Sequence, residues 1–156
     1  LSALLHRVYG DPRVISPFAA MAYGAGTMPC SAQVSSTSVG LLCKGGRTTL
    51  MIRNLPRRFT SWDLVAELQL YIRRSSFDYI YVPWDKKGVN GMGFAFVNFV
   101  SPEMAVAACS AMENREWKTG YSTKRMQLVF ARIQGLAENL RRFADQCDEQ
   151  DGRHAP

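Results

Sequence analysis

The segment Met92–Val100 (MGFAFVNFV) constrains the fold most, because its run of apolar, aromatic and small residues, with Asn98 as the one polar member, predicts a β-strand. Side chains alternate between the two faces of a strand, so Phe94 and Phe96 share one face. The other face carries the residues that we expect to pack on helices, Ala95, Val97 and Phe99. Two neighbouring phenylalanine rings are therefore predicted on the face that points away from the helices.

The order of predicted elements defines the fold class. Strands are predicted at Thr48–Leu55, Phe77–Pro83, Met92–Val100 and Met126–Arg132. One helix begins at the N-cap Thr60 and runs to about Arg74, and another begins at Ser101-Pro102-Glu103 and ends near Glu113. This βαββαβ order predicts an α+β, ferredoxin-like domain at 47–134, in which a four-stranded antiparallel sheet carries both helices on one face. The other face of the sheet is left open.

The same alternation selects the residues of the open face. On the first strand Leu50 and Ile52 point inward, which places Met51 and Arg53 on the open face. On the second strand the aromatic side opposite Ile80 is predicted to be open, and it consists of Phe77, Tyr79 and Tyr81. Aromatic rings and guanidinium planes cover the flat faces of unstacked bases, at about 1–3 kcal/mol per base, so this surface suits single-stranded RNA. The alternative is a sheet buried on both faces, with Phe94 and Phe96 in a core.

Charge and composition bound the partners. The net charge of +6 equals that of residues 47–134 alone, which hold 13 basic and 7 acidic residues, and a basic segment favours a polyanion. Residues 1–46 are rich in Gly, Ser, Ala, Thr and Pro and predict a flexible leader. No apolar run approaches the roughly 20 residues that cross a bilayer, so no membrane association is expected. A reduced Cys109 in an apolar helical pattern favours an intracellular protein, nuclear or cytoplasmic.

Two strand motifs carry a resemblance to the RNA recognition motif. Met92–Phe99 matches the octamer K/R-G-F/Y-G/A-F-V-x-F/Y at seven of eight positions, and Leu50–Leu55 (LMIRNL) resembles the shorter hexamer that precedes it. Met92 replaces the usual basic residue of the octamer, and Met51 replaces the hexamer aromatic. Stacking is therefore expected to depend mainly on Phe94 and Phe96.

Four blocks are similar to the C-terminal RNA recognition motif of the Mei-two-like proteins, over about residues 47–140. They are TTLMIRNLPRRFT at 48–60, DYIYVPWD at 78–85, GFAFVNF at 93–99 and FARIQG at 130–135. That family has Met in the hexamer and a closing Ala-Arg-Ile-Gln-Gly. The resemblance implies binding of single-stranded or noncoding RNA, and a role in post-transcriptional, meiotic or developmental RNA regulation.

Basic residues around the predicted sheet could contact phosphates. They are Arg57 and Arg58 after the first strand, Lys86 and Lys87 before the third, and Lys124, Arg125 and Arg132 around the fourth. Arg53 and Arg132 are favoured, because both lie at or beside the open face. Each of the other charges is as well explained as a solvated surface residue.

The C-terminal extension, 135–156, is predicted to form a third helix to about Cys147, because Leu136, Leu140 and Phe143 recur at helical spacing. A tail follows it. We hypothesise that this helix packs at the sheet edge or partly covers the open face and gates RNA. The alternative is a helix that completes the core.

Two rival functions remain. Some RNA recognition motifs bind a protein partner through an Arg-x-aromatic tripeptide, and Arg115-Glu116-Trp117 has that form, although Trp117 also fits a core position. A small acylphosphatase-like enzyme on the same frame is disfavoured, because no histidine lies in the domain and no nucleophile set appears. The sequence therefore predicts a monomeric, non-enzymatic RNA binder without cofactor or metal site.

Overall fold

The computed structural model describes residues 14–15, 46–85, 88–120 and 122–151. Five strands, three α-helices and a short 3-10 turn at Arg74–Ser76 lie in these ranges. The strands are β1 (Val14–Ile15), β2 (Thr49–Arg53), β3 (Phe77–Tyr81), β4 (Phe94–Phe99) and β5 (Gln127–Phe130). The helices are α1 (Ser61–Gln69), α2 (Pro102–Met112) and α3 (Leu136–Asp151).

The sheet has the order β1-β3-β4-β2-β5, and all its described neighbours are antiparallel. Strands β2 to β5 with α1 and α2 form the predicted ferredoxin-like βαββαβ domain, so the fold class is confirmed. The structure departs from the predicted flexible leader at one place, where Val14 pairs with Tyr81 and Ile15 with Ile80 at the sheet edge. The rest of residues 1–45 lies outside the described residues.

The core lies between the sheet and the two helices α1 and α2. Leu50, Ile52 and Val97 are fully buried on this face, as the alternation predicted. Helix α1 begins with a capping box, in which the Thr60 hydroxyl accepts from the Asp63 amide and the Asp63 carboxylate accepts from the Thr60 amide. It ends at Gln69, short of the predicted Arg74.

A bulge in β3 corrects one predicted face. Phe77 pairs with Phe99 and Tyr79 pairs with Asn98, so the register shifts at Asp78. One extra residue reverses the alternation before it, and Phe77 therefore turns into the core, where it is 3% exposed. The prediction that Phe77 shares the open face with Tyr79 and Tyr81 is wrong for this reason.

The loop between α2 and β5 is fixed by a buried carboxylate. Glu67 on α1 is fully buried and accepts hydrogen bonds from the Lys118 amide (2.9 Å) and from the amide (2.8 Å) and hydroxyl (2.6 Å) of Thr119. Trp117, just before these residues, packs edge-on against Phe59 at 5.4 Å between ring centroids. The loop is thus attached to the helix layer, and the ring of the Arg115–Trp117 tripeptide is 6% exposed in the core.

Helix α3 confirms the predicted C-terminal helix and extends past the predicted end. Its start is anchored to β2 by Gln134, whose Oε1 accepts from the amides of Thr48 (2.9 Å) and Thr49 (2.8 Å). The Gln134 Nε2 donates to the carbonyls of Thr49 (3.0 Å) and Ala131 (2.7 Å). The side-chain amide of Gln134 therefore bonds to β2 as a neighbouring strand would, and it fixes where α3 departs.

Candidate nucleic-acid interface

The open face of the sheet consists of three rows of side chains that run across the strands. The strand registers define an outer row of Gln127, Arg53 and Phe94, a middle row of Val129, Met51, Phe96 and Tyr81, and an inner row of Thr49, Asn98 and Tyr79. Each row differs in how far α3 covers it. The coverage decides which predicted site residues can meet a ligand.

The inner row is sealed and polar. Asn98 Oδ1 accepts from the hydroxyls of Thr48 and Thr49, each at 2.8 Å, and Asn98 Nδ2 donates to Asp78 at 2.7 Å. The Thr49 hydroxyl also accepts from Asn139 Nδ2 on α3, at 3.0 Å. Burial raises the pKa of Asp78, and the hydrogen bond from Asn98 opposes that rise.

Tyr79 belongs to this sealed region and is only 2% exposed. It forms a second apolar cluster with Phe143 of α3, and Leu136 and Leu140 pack against the same cluster. The prediction of Tyr79 as a residue of an accessible RNA face is therefore corrected for the conformation seen here. Sequence alternation found the correct face, but it did not reveal that α3 lies on it.

The middle row is covered in part. Tyr81 meets Phe143 edge-on at 5.2 Å between ring centroids, and Phe96 packs against the same cluster. Both rings are half-buried, as is Met51 beside Phe96. The hypothesis that the C-terminal helix partly covers the open face is thus supported by position, while the gating of RNA stays a prediction.

The outer row lies beyond the cluster that α3 forms. Phe94 is half-buried, and its ring stands edge-on to Phe96 at 5.7 Å between centroids. Arg53 is exposed and lies directly across from Phe94 on the neighbouring strand. An aromatic residue and an arginine are therefore paired on neighbouring strands at the end of the sheet.

The predicted basic residues do not form a single group. Arg57, Arg58 and Lys124 are exposed in the loops at the Phe94 end of the sheet. Arg125 is engaged by the Glu116 carboxylate at 2.8 Å and the Asn114 carbonyl at 3.0 Å. Arg132 is exposed after the opposite end of β5. Lys86 and Lys87 lie outside the described residues.

A cleft of about 830 Å³ continues from the outer row. Asn54 to Arg57 after β2, Met92 and Gly93 before β4, and Gly120 with Ser122, Thr123 and Lys124 before β5 line it. Asn54 adopts a left-handed backbone (φ 65°) and its Nδ2 donates to the Arg125 carbonyl at 2.8 Å. Asn54 therefore links the end of β2 to the segment before β5.

Sequence reasoning missed the polar residues that attach α3, namely Gln134, Asn139, Asn98 and Thr49. The block FARIQG was available as a signal, but its glutamine carried no pattern that indicated a contact with β2. Cys109, the described free cysteine, is half-buried on α2, and burial together with Glu113 raises the pKa of its thiol to about 11. Among the described residues no group of three His, Cys, Asp or Glu side chains could hold a metal ion, and no helix is long and apolar enough to cross a membrane.

The βαββαβ fold and the two motifs on its central strands define an RNA recognition motif. The model of the family RNA recognition motif 2 matches residues 47–144, and the chain belongs to this family. The matched region extends beyond β5 to include the Gln134 anchor and the described part of α3 that contacts the sheet. The family match therefore covers strands β2 to β5, helices α1 and α2 and the first half of α3, and it leaves out β1.

Three plant proteins have a region similar to this one. Protein MEI2-like 4 of Arabidopsis thaliana is 36% identical over 97 residues, 62% of this chain and 11% of that protein. Protein MEI2-like 5 of Oryza sativa subsp. japonica is 37% identical over 100 residues, 64% of this chain and 12% of that protein. Protein terminal ear1 homolog of Oryza sativa subsp. indica is 31% identical over 139 residues, 77% of this chain and 20% of that protein. The matched region thus spans a fifth or less of each of these relatives.

Solved structures with a similar arrangement include Sex-lethal RNA recognition domains 1 and 2 from Drosophila melanogaster. That comparison has a TM-score of 0.46 and 24% identity, and it covers 55% of this chain and 50% of that one. A Sxl-lethal protein/RNA complex gives a TM-score of 0.47 and 28% identity, with coverage of 54% and 47%.

Proposed function

We propose that this chain binds single-stranded RNA through the outer row and the uncovered part of the middle row. One observation carries the proposal: Phe94 and Arg53 lie side by side, outside the cluster that α3 forms on the sheet. Membership of an RNA recognition motif family supports it. The proposed contact set is smaller than the face predicted from sequence, because Tyr79 is sealed in the conformation described here.

The chemistry of these side chains suits the unpaired bases of a single strand better than the stacked base pairs of a duplex. A base can stack on the Phe94 ring, and a second can contact Met51 and the exposed part of Phe96. The Arg53 guanidinium can stack beside a base or bond a phosphate, since it is planar and carries five donors. Arg57, Arg58 and Lys124 supply positive charge at the same end of the sheet, which favours the phosphates of the strand.

The test is a titration of labelled short random-sequence RNAs and of duplex DNA. We expect micromolar, salt-dependent binding of RNA and weaker binding of the duplex. Combined Phe94→Ala and Phe96→Ala substitutions should reduce RNA affinity at least about tenfold, because two stacked bases contribute about 1–3 kcal/mol each. Phe94→Ala alone should cost more than Phe96→Ala, since part of the Phe96 ring already packs on the α3 cluster.

The matched control is Trp62→Ala. Trp62 is an aromatic residue of α1 on the helix side of the domain and is 50% exposed. Its removal should leave RNA affinity unchanged. Equal losses for Trp62→Ala and Phe94→Ala, or binding that ignores both, would contradict the assignment of the sheet face.

The proposal extends to the biological setting only as far as the family resemblance implies. We propose that the protein acts as a monomer inside the cell, in the nucleus or cytoplasm, in post-transcriptional regulation of meiotic or developmental RNAs. The Mei-two-like relatives and the free Cys109 support this setting. Cross-linking of the protein to RNA in living cells, followed by sequencing of the RNA, tests this part. Recovery of no RNA above a Phe94→Ala, Phe96→Ala control would refute it.

A further inference from the structure

The cleft beside the outer row has walls that are held in place without a ligand. The Leu55 amide donates to the Gly93 carbonyl at 2.9 Å, which joins the loop after β2 to the start of β4. The side-chain Nδ2 of Asn54 donates to the Arg125 carbonyl and joins the same loop to the segment before β5, and Glu67 fixes that connection at Lys118 and Thr119. The walls are therefore joined to each other and to the helix layer at these points, and the volume of about 830 Å³ lies in the range of small-molecule sites.

The cleft is continuous with the proposed RNA face. Arg53 is followed directly by Asn54 and Phe94 is preceded directly by Gly93, so the outer row ends where the cleft begins. At the other end of the sheet the inner row is sealed by α3. A strand stacked on Phe94 is therefore blocked towards the inner row and has open space towards the cleft.

The lining has the chemistry of a nucleotide site. Leu55, Pro56 and Met92 form an apolar side, and Met92 is 58% exposed. Arg57 and Lys124 are exposed cations among the lining residues, and none of the described lining residues is acidic. An apolar side with cations beside it matches a base joined to a phosphate, and it does not match an acceptor for a cationic peptide.

We propose that this cleft binds the nucleotide adjacent to the one stacked on Phe94, with its base against Met92 and Pro56 and its phosphate near Arg57 and Lys124. This inference rests on the proposed RNA binding through the sheet. It deepens that function by adding a second, loop-built subsite that the sequence did not indicate. It also assigns Met92, the position where the octamer usually has a basic residue, to contact with a base.

The test compares two charge-matched pairs of substitutions in the full chain. Arg57→Ala with Lys124→Ala removes both cations of the cleft. Arg115→Ala with Lys118→Ala removes two exposed cations that do not line it. Both pairs are titrated with labelled random-sequence RNAs of two and of six nucleotides, at several salt concentrations.

For the six-nucleotide RNA we expect the cleft pair to lose about fivefold or more in affinity relative to the control pair. The slope of log affinity against log salt should become shallower by about 0.7, because the cleft contacts one phosphate and each lost phosphate contact on a single strand removes about 0.7. The dinucleotide is short enough to bind on the sheet alone, so both pairs should have the same affinity for it. Equal effects of both pairs on the longer RNA would overturn the subsite.

The controls separate this inference from the function on which it rests. If Phe94→Ala weakens RNA binding and the two pairs have equal effects, the cleft subsite is refuted and RNA binding through the sheet is not. If wild type and Phe94→Ala bind RNA with the same affinity, RNA binding through the sheet is refuted. A circular dichroism spectrum and thermal transition of the cleft pair that match wild type show that the loss of affinity is not a loss of fold.

Discussion

Phe143 of α3 is expected to compete with bases for the middle row, and Phe143→Ala should therefore raise RNA affinity. The side chain is 4% exposed and stands edge-on to Tyr81 at 5.2 Å between centroids. The Gln134 hydrogen bonds that attach the start of α3 do not involve this residue. The substitution therefore weakens the contact of α3 with the aromatic rings and leaves the anchor intact.

The magnitude follows from the contacts. Burial of a phenylalanine side chain contributes about 1.5–3 kcal/mol, and an edge-to-face aromatic pair adds about 0.5–1.5 kcal/mol. Loss of both weakens the docked position of α3 by about 2–4.5 kcal/mol. A base stacked on Tyr81 in place of Phe143 contributes about 1–3 kcal/mol to RNA binding. The gain in RNA affinity from Phe143→Ala cannot exceed this contribution. We expect RNA affinity to rise by about 1.4 kcal/mol, which is about tenfold.

The assay is fluorescence anisotropy with random-sequence RNAs of increasing length. The gain should appear only for RNAs long enough to occupy Tyr81 as well as Phe94, and the shortest RNAs should bind as they do to wild type. Ala137→Gln, at an exposed position of the same helix, is the control and should change neither affinity nor its dependence on length. Unchanged or lower affinity of Phe143→Ala for the longer RNAs would refute competition between α3 and RNA.

Two further predictions concern stability. Glu67→Ala should lower the free energy of unfolding by about 3 kcal/mol in urea titrations, because three partly buried donors, the amides of Lys118 and Thr119 and the Thr119 hydroxyl, lose their acceptor at about 1 kcal/mol each. Gln69→Ala, exposed on the same helix, should change it little. Equal small effects of the two substitutions would contradict the role of the buried carboxylate. Burial raises the pKa of Asp78 above the ordinary 3.8, so the folded protein binds the carboxyl proton more tightly than the unfolded chain does. The protein therefore loses stability as the pH rises from the ordinary pKa through the raised pKa of the folded state. Asp78→Asn keeps an acceptor for Asn98 and should gain stability relative to wild type as pH is raised from about 3 to 7; a difference that is constant with pH, or that shrinks, would contradict the burial of this carboxyl.

The part of the site that was predictable from sequence depends on regular strands. Alternation placed Phe94 and Phe96 on one face and Met51 and Arg53 beside them, and the register of β2 with β4 confirms both placements. It failed at Phe77, because a bulge changes the parity of every residue before it and leaves no mark in hydrophobic periodicity. The predicted helices were recognisable from N-caps such as Thr60, because a cap depends only on residues that are close together in the sequence.

The covering of the face was not predictable in detail, because it depends on contacts between distant parts of the chain. The helical spacing of Leu136, Leu140 and Phe143 predicted an apolar stripe, but not the surface on which it packs. That surface is chosen by Gln134 and Asn139, whose partners on β2 lie about 85 to 90 residues earlier in the chain. Single polar side chains of this kind have no periodic pattern. The cleft was missed because loops of three different connections form it.

The Gln134 anchor couples the covering helix to the strand that carries the site. Gln134 bonds the backbone of Thr48 and Thr49, and the next residues of the same strand include Met51 and Arg53. The amide side chain supplies both an acceptor and donors, so it replaces strand pairing just where β5 has ended at Phe130. A change that detached α3 at this point would also leave amides of β2 without partners. Partial undocking at Phe143 therefore costs less than release of the whole helix, and RNA that reaches the middle row is expected to displace the body of α3 while its start stays attached.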